Sequence, residues 1–164
     1  MIIGVSATRN GLTDKQKEAC LSILHHINFK VGISEIHHGD CVGGDVDFAA
    51  IAHTMVNRPQ IIAHPGIAMG EKENTLRANF PHNDTIHPTQ THFARNRTIV
   101  NASDVMFILP YSENKTGGGT WYTYDFAVKQ KKTIIVIFPN GRIDVTEREY
   151  LEGLFRNRDL ERPA

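Results

Sequence analysis

Residues 114–139 read NKTGGGTWYTYDFAVKQKKTIIVIFP: a run of three glycines, an amphipathic stretch, then a solid apolar segment. A glycine-rich turn that opens a helix aims free backbone N–H groups and the positive end of the helix dipole at one point, which suits an anion. The lysine that a nucleoside-triphosphatase loop sets after its glycines is absent, and Thr120 and Trp121 stand there instead. The pattern predicts a helix over 120–131. Over 132–139 it predicts a strand, and consecutive rather than alternating apolar residues mean burial on both faces, as in a parallel sheet.

The same pairing of buried strand and helix recurs upstream. Residues 2–6 predict a first strand. A helix follows, with Thr13 as N-cap, Gln16 as its capping-box partner, and Ala19, Leu21, Ile23, Leu24 and Ile27 as its apolar side. SEIHHGD is a weaker second strand, and GGDVDFAAIAHTMV a second helix with Val46, Ala49, Ala50 and Met55 facing inward. QIIAHPG is a third strand. Residues 67–92 are polar and without period, a length typical of binding loops and lids. HFARNRTIVNAS predicts a helix, DVMFILP a fourth strand, and VTEREYLEGLF a short closing helix. Strands alternating with helices give a doubly wound α/β domain: a parallel sheet of about five strands, helices on both faces, right-handed crossovers. One domain spans 1–164, with its core in 1–139 and a helix and tail in 140–164.

Composition narrows the function. The chain has 164 residues, 40% of them hydrophobic, and Lys plus Arg equals Asp plus Glu at 18 each. Zero net charge argues against a protein that coats nucleic acid or an anionic membrane. Neither a signal-like nor a membrane-spanning apolar run is present. The two cysteines, Cys20 and Cys41, make no redox or metal motif. A cytoplasmic protein is therefore expected. His37, His38 and Asp40, or His82, His87 and His92 at five-residue steps, match no metal-ligand pairing on a helix face, so neither metal nor cofactor is expected.

In doubly wound sheets the ligand sits beyond the carboxyl ends of the strands, where the strand order reverses. Four unusual connections meet that edge: SATRN, HHGDCVGGD, the long polar loop and YSENKTGGGT. Gly43 and Gly44 at one helix start, and Gly117, Gly118 and Gly119 at another, allow close backbone approach. Ser6, Thr8, Thr116 and Thr120 offer hydroxyls. Arg9, Arg95 and Arg97 offer forked charge for phosphate. His38 with Gly39 is a further contact, and Trp121 or Tyr111 a face for a base to stack on.

Four segments of this chain together resemble the SLOG superfamily, the Rossmann-like group that includes the DNA-processing protein DprA and the LOG enzymes. They are GVSATR, HGDCVGGDVDFAAIA, ARNRTIVNASDVMFILP and GGGTWYTYDFAVKQKKTIIVI, between Gly4 and Ile137. The second and third are most similar to its YspA-like group. The resemblance implies a nucleotide or nucleotide-derived ligand at the sheet edge, and a homo-oligomer. In LOG enzymes an arginine and a glutamate cleave the N-glycosidic bond of a nucleoside 5′-monophosphate. Arg95 matches that arginine, and Gly117, Gly119 and Thr120 the glycine-threonine core, but Thr123 stands at the glutamate position. A threonine cannot supply the carboxylate that an oxocarbenium-like centre needs. The resemblance therefore implies ligand binding without turnover. Two other readings follow from it: an N-glycosidase using Asp45, Asp40 or Asp125 as its acid, and DprA-like DNA binding.

Overall fold

In a computed structural model of the chain, residues 1–115 and 117–146 are described; Thr116 and almost all of the expected closing helix lie outside them. β1 (Ile2–Ala7) is the middle of the sheet, and its alternation sets the two layers. Ile3 and Val5 are buried on the face covered by α1 (Asp14–Val31) and α2 (Gly44–His53). Gly4 points the other way: a Cβ there would lie 2.3 Å from Ser103 Oγ and 2.9 Å from Ile99 Cγ2. Only glycine lets the helix on that face come so near the strand.

β2 (Glu35–His38) and β3 (Gln60–Ala63) extend the sheet in parallel on one side of β1. Between residues 64 and 91 lie β4 (Gly66–Ile67), β5 (Thr85–Ile86) and β6 (Gln90–Thr91). The chain then crosses through α3 (His92–Ala102) to β7 (Val105–Leu109) on the other side of β1. α4 (Gly119–Lys129), β8 (Thr133–Ile137) and β9 (Ile143–Val145) complete it. The sheet has seven strands in the order β5-β3-β2-β1-β7-β8-β9, all parallel except β9. The second layer packs Ile99 and Val100 of α3 and Ala127 of α4 against Met106, Ile108, Ile134 and Val136. The order reverses at the β1/β7 crevice.

The doubly wound α/β fold is as expected, with two edge strands more than the pattern suggests. β5 and β9 are two and three residues long, too short to leave a period. β9 also puts Val145 in an edge strand rather than at the start of a helix. The polar 67–92 stretch is not structureless, since β4 and β6 pair in parallel there. Two side chains assigned to the core are exposed: Leu21, at 42%, and Ala50. On α2 the buried stripe runs through Phe48, Ala49 and Ala52, leaving Val46 half-buried. A short helix crossing a sheet buries a stripe set by its docking angle, which spacing does not specify.

α1 begins as its capping box predicts. Thr13 Oγ1 accepts from Gln16 N, and Gln16 Oε1 accepts from Thr13 N. Gln16 is buried, and its Nε2 donates to Pro110 O (3.0 Å) and Ile137 O (2.9 Å), fastening the helix start to the ends of β7 and β8. These contacts tie α1 to the carboxyl edge of the sheet, where the crevice opens.

Candidate functional site

A cavity of about 540 Å³ occupies the β1/β7 crevice. Ser6 and Arg9 reach it from the end of β1, and Gly39, Cys41 and Asp45 from the β2–α2 turn. Arg95 and Arg97 come from α3, and Gly119 and Thr120 from α4. The two glycine-bearing turns thus meet at one rim, although they serve it differently.

At the α2 turn, the backbone that comes close is the protein's own. A Cβ on Gly43, whose φ is +94°, would lie 2.3 Å from Arg9 O, and one on Gly44 would lie 2.5 Å from Ala7 Cβ. Gly44 N donates to Thr8 O (2.8 Å), and Thr8 is buried with its Oγ1 accepting from Asn10 N. Thr8, Gly43 and Gly44 therefore pack the β1–α1 connection against α2, behind the cavity wall. Two N–H groups of this turn are taken by a side chain. Asp45 Oδ2 accepts from Gly39 N (3.1 Å) and Cys41 N (3.4 Å). Burial raises the Asp45 pKa, opposed by the charges of Arg95 and His38 and by these two N–H groups. Burial, and then the Asp45 charge, likewise raise the Cys41 thiol pKa.

Arg95 is a buttress as much as a wall. It is buried, and Nη1 donates to Gly39 O (2.6 Å) and His64 O (3.1 Å), while Nε donates to Asn96 Oδ1 (2.7 Å). Nη2 meets His92 Nδ1 at 3.1 Å. Desolvation first, and the Arg95 charge next, lower the His92 pKa, so the ring stays neutral and accepts from Arg95. The guanidinium thus ties the first turn of α3 to the ends of β2 and β3.

His38 does not face the cavity. It is fully buried, Nδ1 accepts from Asp40 N (3.0 Å), and Nε2 therefore carries the proton and donates to Asn83 Oδ1 (2.7 Å). Asp40 is fully buried too, with Oδ1 accepting from Phe80 N (2.9 Å) and Oδ2 paired with Arg77 (3.3 Å). Asp125 is exposed, pairs with Lys115, and lies outside the cavity lining. Thr123 is buried and its Oγ1 donates to Gly119 O (2.8 Å), back into its own helix.

The α4 turn is open. Gly118, the N-cap, has extended backbone (φ 171°) and supplies no side-chain cap. A Cβ on Gly117 or Gly118 would meet nothing within 4 Å, and one on Gly119 would meet only Asn96 Nδ2, at 3.9 Å. The first N–H groups of α4 are therefore left to a partner from outside the helix. Arg97 stands beside them, exposed, with Nη1 donating to Tyr122 OH (2.8 Å). Among the described lining residues, three arginines against one buried carboxylate give a positive field.

The aromatic expectations are redistributed. Trp121 packs inward against Tyr124 (ring centroids 5.5 Å apart) and Phe138 (6.5 Å). Tyr111 is exposed and does not line the cavity. The ring that does is Phe93, unmarked by the sequence reading, with Ile67, Ala68 and Met69 from the long loop. HFARNR places His92, Phe93, Asn96 and Arg97 on the first turns of a helix that starts at the crevice, and that placement was the available signal for Phe93. For Met69 there was none. The spaced histidines scatter: His82 stacks on His53 (4.0 Å), His87 on His64 (4.4 Å), and His92 meets Arg95. Among the described residues no helix is long and apolar enough to cross a membrane.

No protein-family model and no curated protein matches the chain. Its fold is found in solved structures of low sequence identity. The molybdenum cofactor binding protein from the phototrophic bacterium Rippkaea orientalis superposes with a TM-score of 0.61 at 20% identity, over 96% of this chain and 85% of that one. DNA processing protein A from Helicobacter pylori, described for its single-stranded DNA binding, gives 0.58 at 17% identity, over 83% of this chain and 64% of that one. The Moco carrier protein from Chlamydomonas reinhardtii gives 0.52 at 17%, over 95% and 85%. At these identities what is shared is the Rossmann-like architecture.

Proposed function

We propose that the chain is a SLOG-like binding module that holds a phosphorylated, nucleotide-derived small molecule in the β1/β7 cavity and does not turn it over. One observation carries the reading: the uncapped start of α4 opens into a 540 Å³ cavity flanked by Arg9, Arg95 and Arg97. The volume falls within the range usual for small-molecule sites. A phosphate there takes the N–H groups of Gly119 and Thr120, with Arg97 and Arg9 as charged partners and the Thr120 and Ser6 hydroxyls as further donors. Gly117 and Gly118 form the approach; Thr116, the remaining hydroxyl expected here, lies outside the described residues. Arg95 contributes field and wall, while Thr8, His38, Gly39, Gly43 and Gly44 shape the rim behind it. The fold shared with a protein described as binding the molybdenum cofactor, and with one described as its carrier, supports a small-molecule ligand.

Binding without turnover is favoured because the one carboxylate among the described lining residues, Asp45, is engaged by two N–H groups and buried. The DNA-binding reading is weakened by zero net charge, despite the likeness to DNA processing protein A. Titration calorimetry with nucleoside 5′-monophosphates tests the proposal, and saturable binding lost on Gly118→Val is the expected result. Steady release of free base and ribose phosphate at catalytic protein concentrations would overturn the absence of turnover. Salt-sensitive retention of single-stranded DNA without nucleotide binding would move the function to nucleic acid. A homo-oligomer in the cytoplasm is part of the same proposal, checked by light scattering after gel filtration and by cell fractionation.

A further inference from the structure

Water-exposed apolar side chains on a cavity wall are unusual unless something covers them. Met69 is 88% exposed and Phe93 53% exposed, and both line the cavity. Met69 comes from the strap that follows β4, and Phe93 from the first turn of α3. Val42, Ile86 and Tyr111 are exposed at the same edge of the sheet but do not line the cavity, and Phe29 and Val56 sit where α1 and α2 end, at the opposite edge. The Phe93 ring is held in place from behind by Tyr122, at 4.4 Å and 58°. The Tyr122 hydroxyl accepts from Arg97, four residues after Phe93 on α3. Phe93 and Arg97 are therefore one helical turn apart, about 6 Å along the axis, which a pentose bridges.

We infer that Met69 and Phe93 form the jaw for a planar heteroaromatic ring, whose phosphate lies one helical turn away at Arg97 and the start of α4. This rests on the proposed phosphate site and adds the orientation of the ligand, ring toward the strap and phosphate toward α4. A thioether and an aromatic face accept any flat heterocycle, through sulfur–aromatic contact on one side and stacking on the other. The jaw holds the ring without reading its hydrogen-bonding edge, so discrimination among bases by these two residues is weak.

The probes are adenosine, guanosine, cytidine and uridine 5′-monophosphates and ribose 5-phosphate, titrated against the full chain. Met69 is almost fully exposed, so Met69→Ala leaves thermal unfolding unchanged. Phe93→Ala loses its contact with Tyr122 and lowers Tm only slightly, without unfolding the chain at the assay temperature. Stacking loses about 1–3 kcal/mol per base on removal of an aromatic partner, so Phe93→Ala weakens the monophosphates roughly five- to 150-fold. Ribose 5-phosphate affinity stays within two-fold. Phe93→Tyr restores the monophosphates. Equal monophosphate affinity for wild type and both alanine variants overturns the jaw while leaving the phosphate site standing. A wild-type chain that binds neither monophosphates nor ribose 5-phosphate overturns both.

Discussion

Replacing Arg95 by methionine distinguishes a buttress from a ligand-only arginine. The side chain is 6% exposed and makes four hydrogen bonds, to Gly39 O, His64 O, Asn96 Oδ1 and His92 Nδ1. Methionine fills much of the volume but leaves the Gly39 and His64 carbonyls without this donor. It also leaves Asp45 without its largest charge compensation. Unpaired buried carbonyls cost about 1–3 kcal/mol each, and an orphaned buried charge about 3–5 kcal/mol. Asp45 escapes part of its penalty by taking a proton, so the expected loss is about 3–5 kcal/mol. With a urea slope near 2 kcal/mol/M, the midpoint falls by about 2 M in circular dichroism. Asp45→Asn in the same chain keeps an oxygen for the Gly39 and Cys41 N–H groups and removes the charge. It should restore about 1–3 kcal/mol, and the double-mutant cycle measures that coupling. A loss under about 1 kcal/mol for Arg95→Met, with no recovery in the double variant, would refute the buttress and return Arg95 to the ligand alone.

Burial, followed by the neighbouring His37 and His87, holds the His64 pKa at about 3, well under its ordinary 6.5. The unfolded chain takes up a proton there that the folded chain refuses. Stability should therefore fall as pH drops from 6.5 toward 3, and His64→Leu should flatten that slope in urea titrations at pH 7, 6 and 5. Gly4→Ala should cost about 1–3 kcal/mol, read as a lower Tm, because its Cβ collides with Ile99 on α3 and with Ser103, the residue that caps its end. Gly43→Ala should lower Tm as well, since it combines φ +94° with a Cβ 2.3 Å from Arg9 O. Gly118→Ala, extended and facing open space, should leave Tm unchanged and act only on phosphate affinity. Equal Tm losses at Gly43 and Gly118 would contradict the different roles of the two turns.

Much of the scaffold can be read locally. The apolar runs at β1, β7 and β8 declare strands buried on both faces, and Thr13 with Gln16 declares the start of α1; both rest on residues a few positions apart. Expecting a ligand beyond the carboxyl ends of the strands needed only strand–helix alternation and the rule of the reversal point; that the reversal falls between β1 and β7 came from the strand order. The short edge strands β5 and β9 were not legible, because two or three residues carry no period.

Function-bearing detail divides along the same line. The primary structure by itself determined the doubly wound fold, pointed to the carboxyl edge as the candidate site, and brought two glycine-bearing turns to it. Only tertiary structure decided that Gly43 and Gly44 receive the chain's own Arg9 and Ala7, and that Asp45 takes the Gly39 and Cys41 N–H groups of the β2–α2 turn. Arg95 reaches Gly39, 56 positions away, and Phe93 and Met69 line the cavity with exposed apolar side chains. The physical reason is range. Strand and helix periods arise from neighbouring residues, whereas a side chain's partner is set by packing across elements far apart in the chain, which no local spacing encodes.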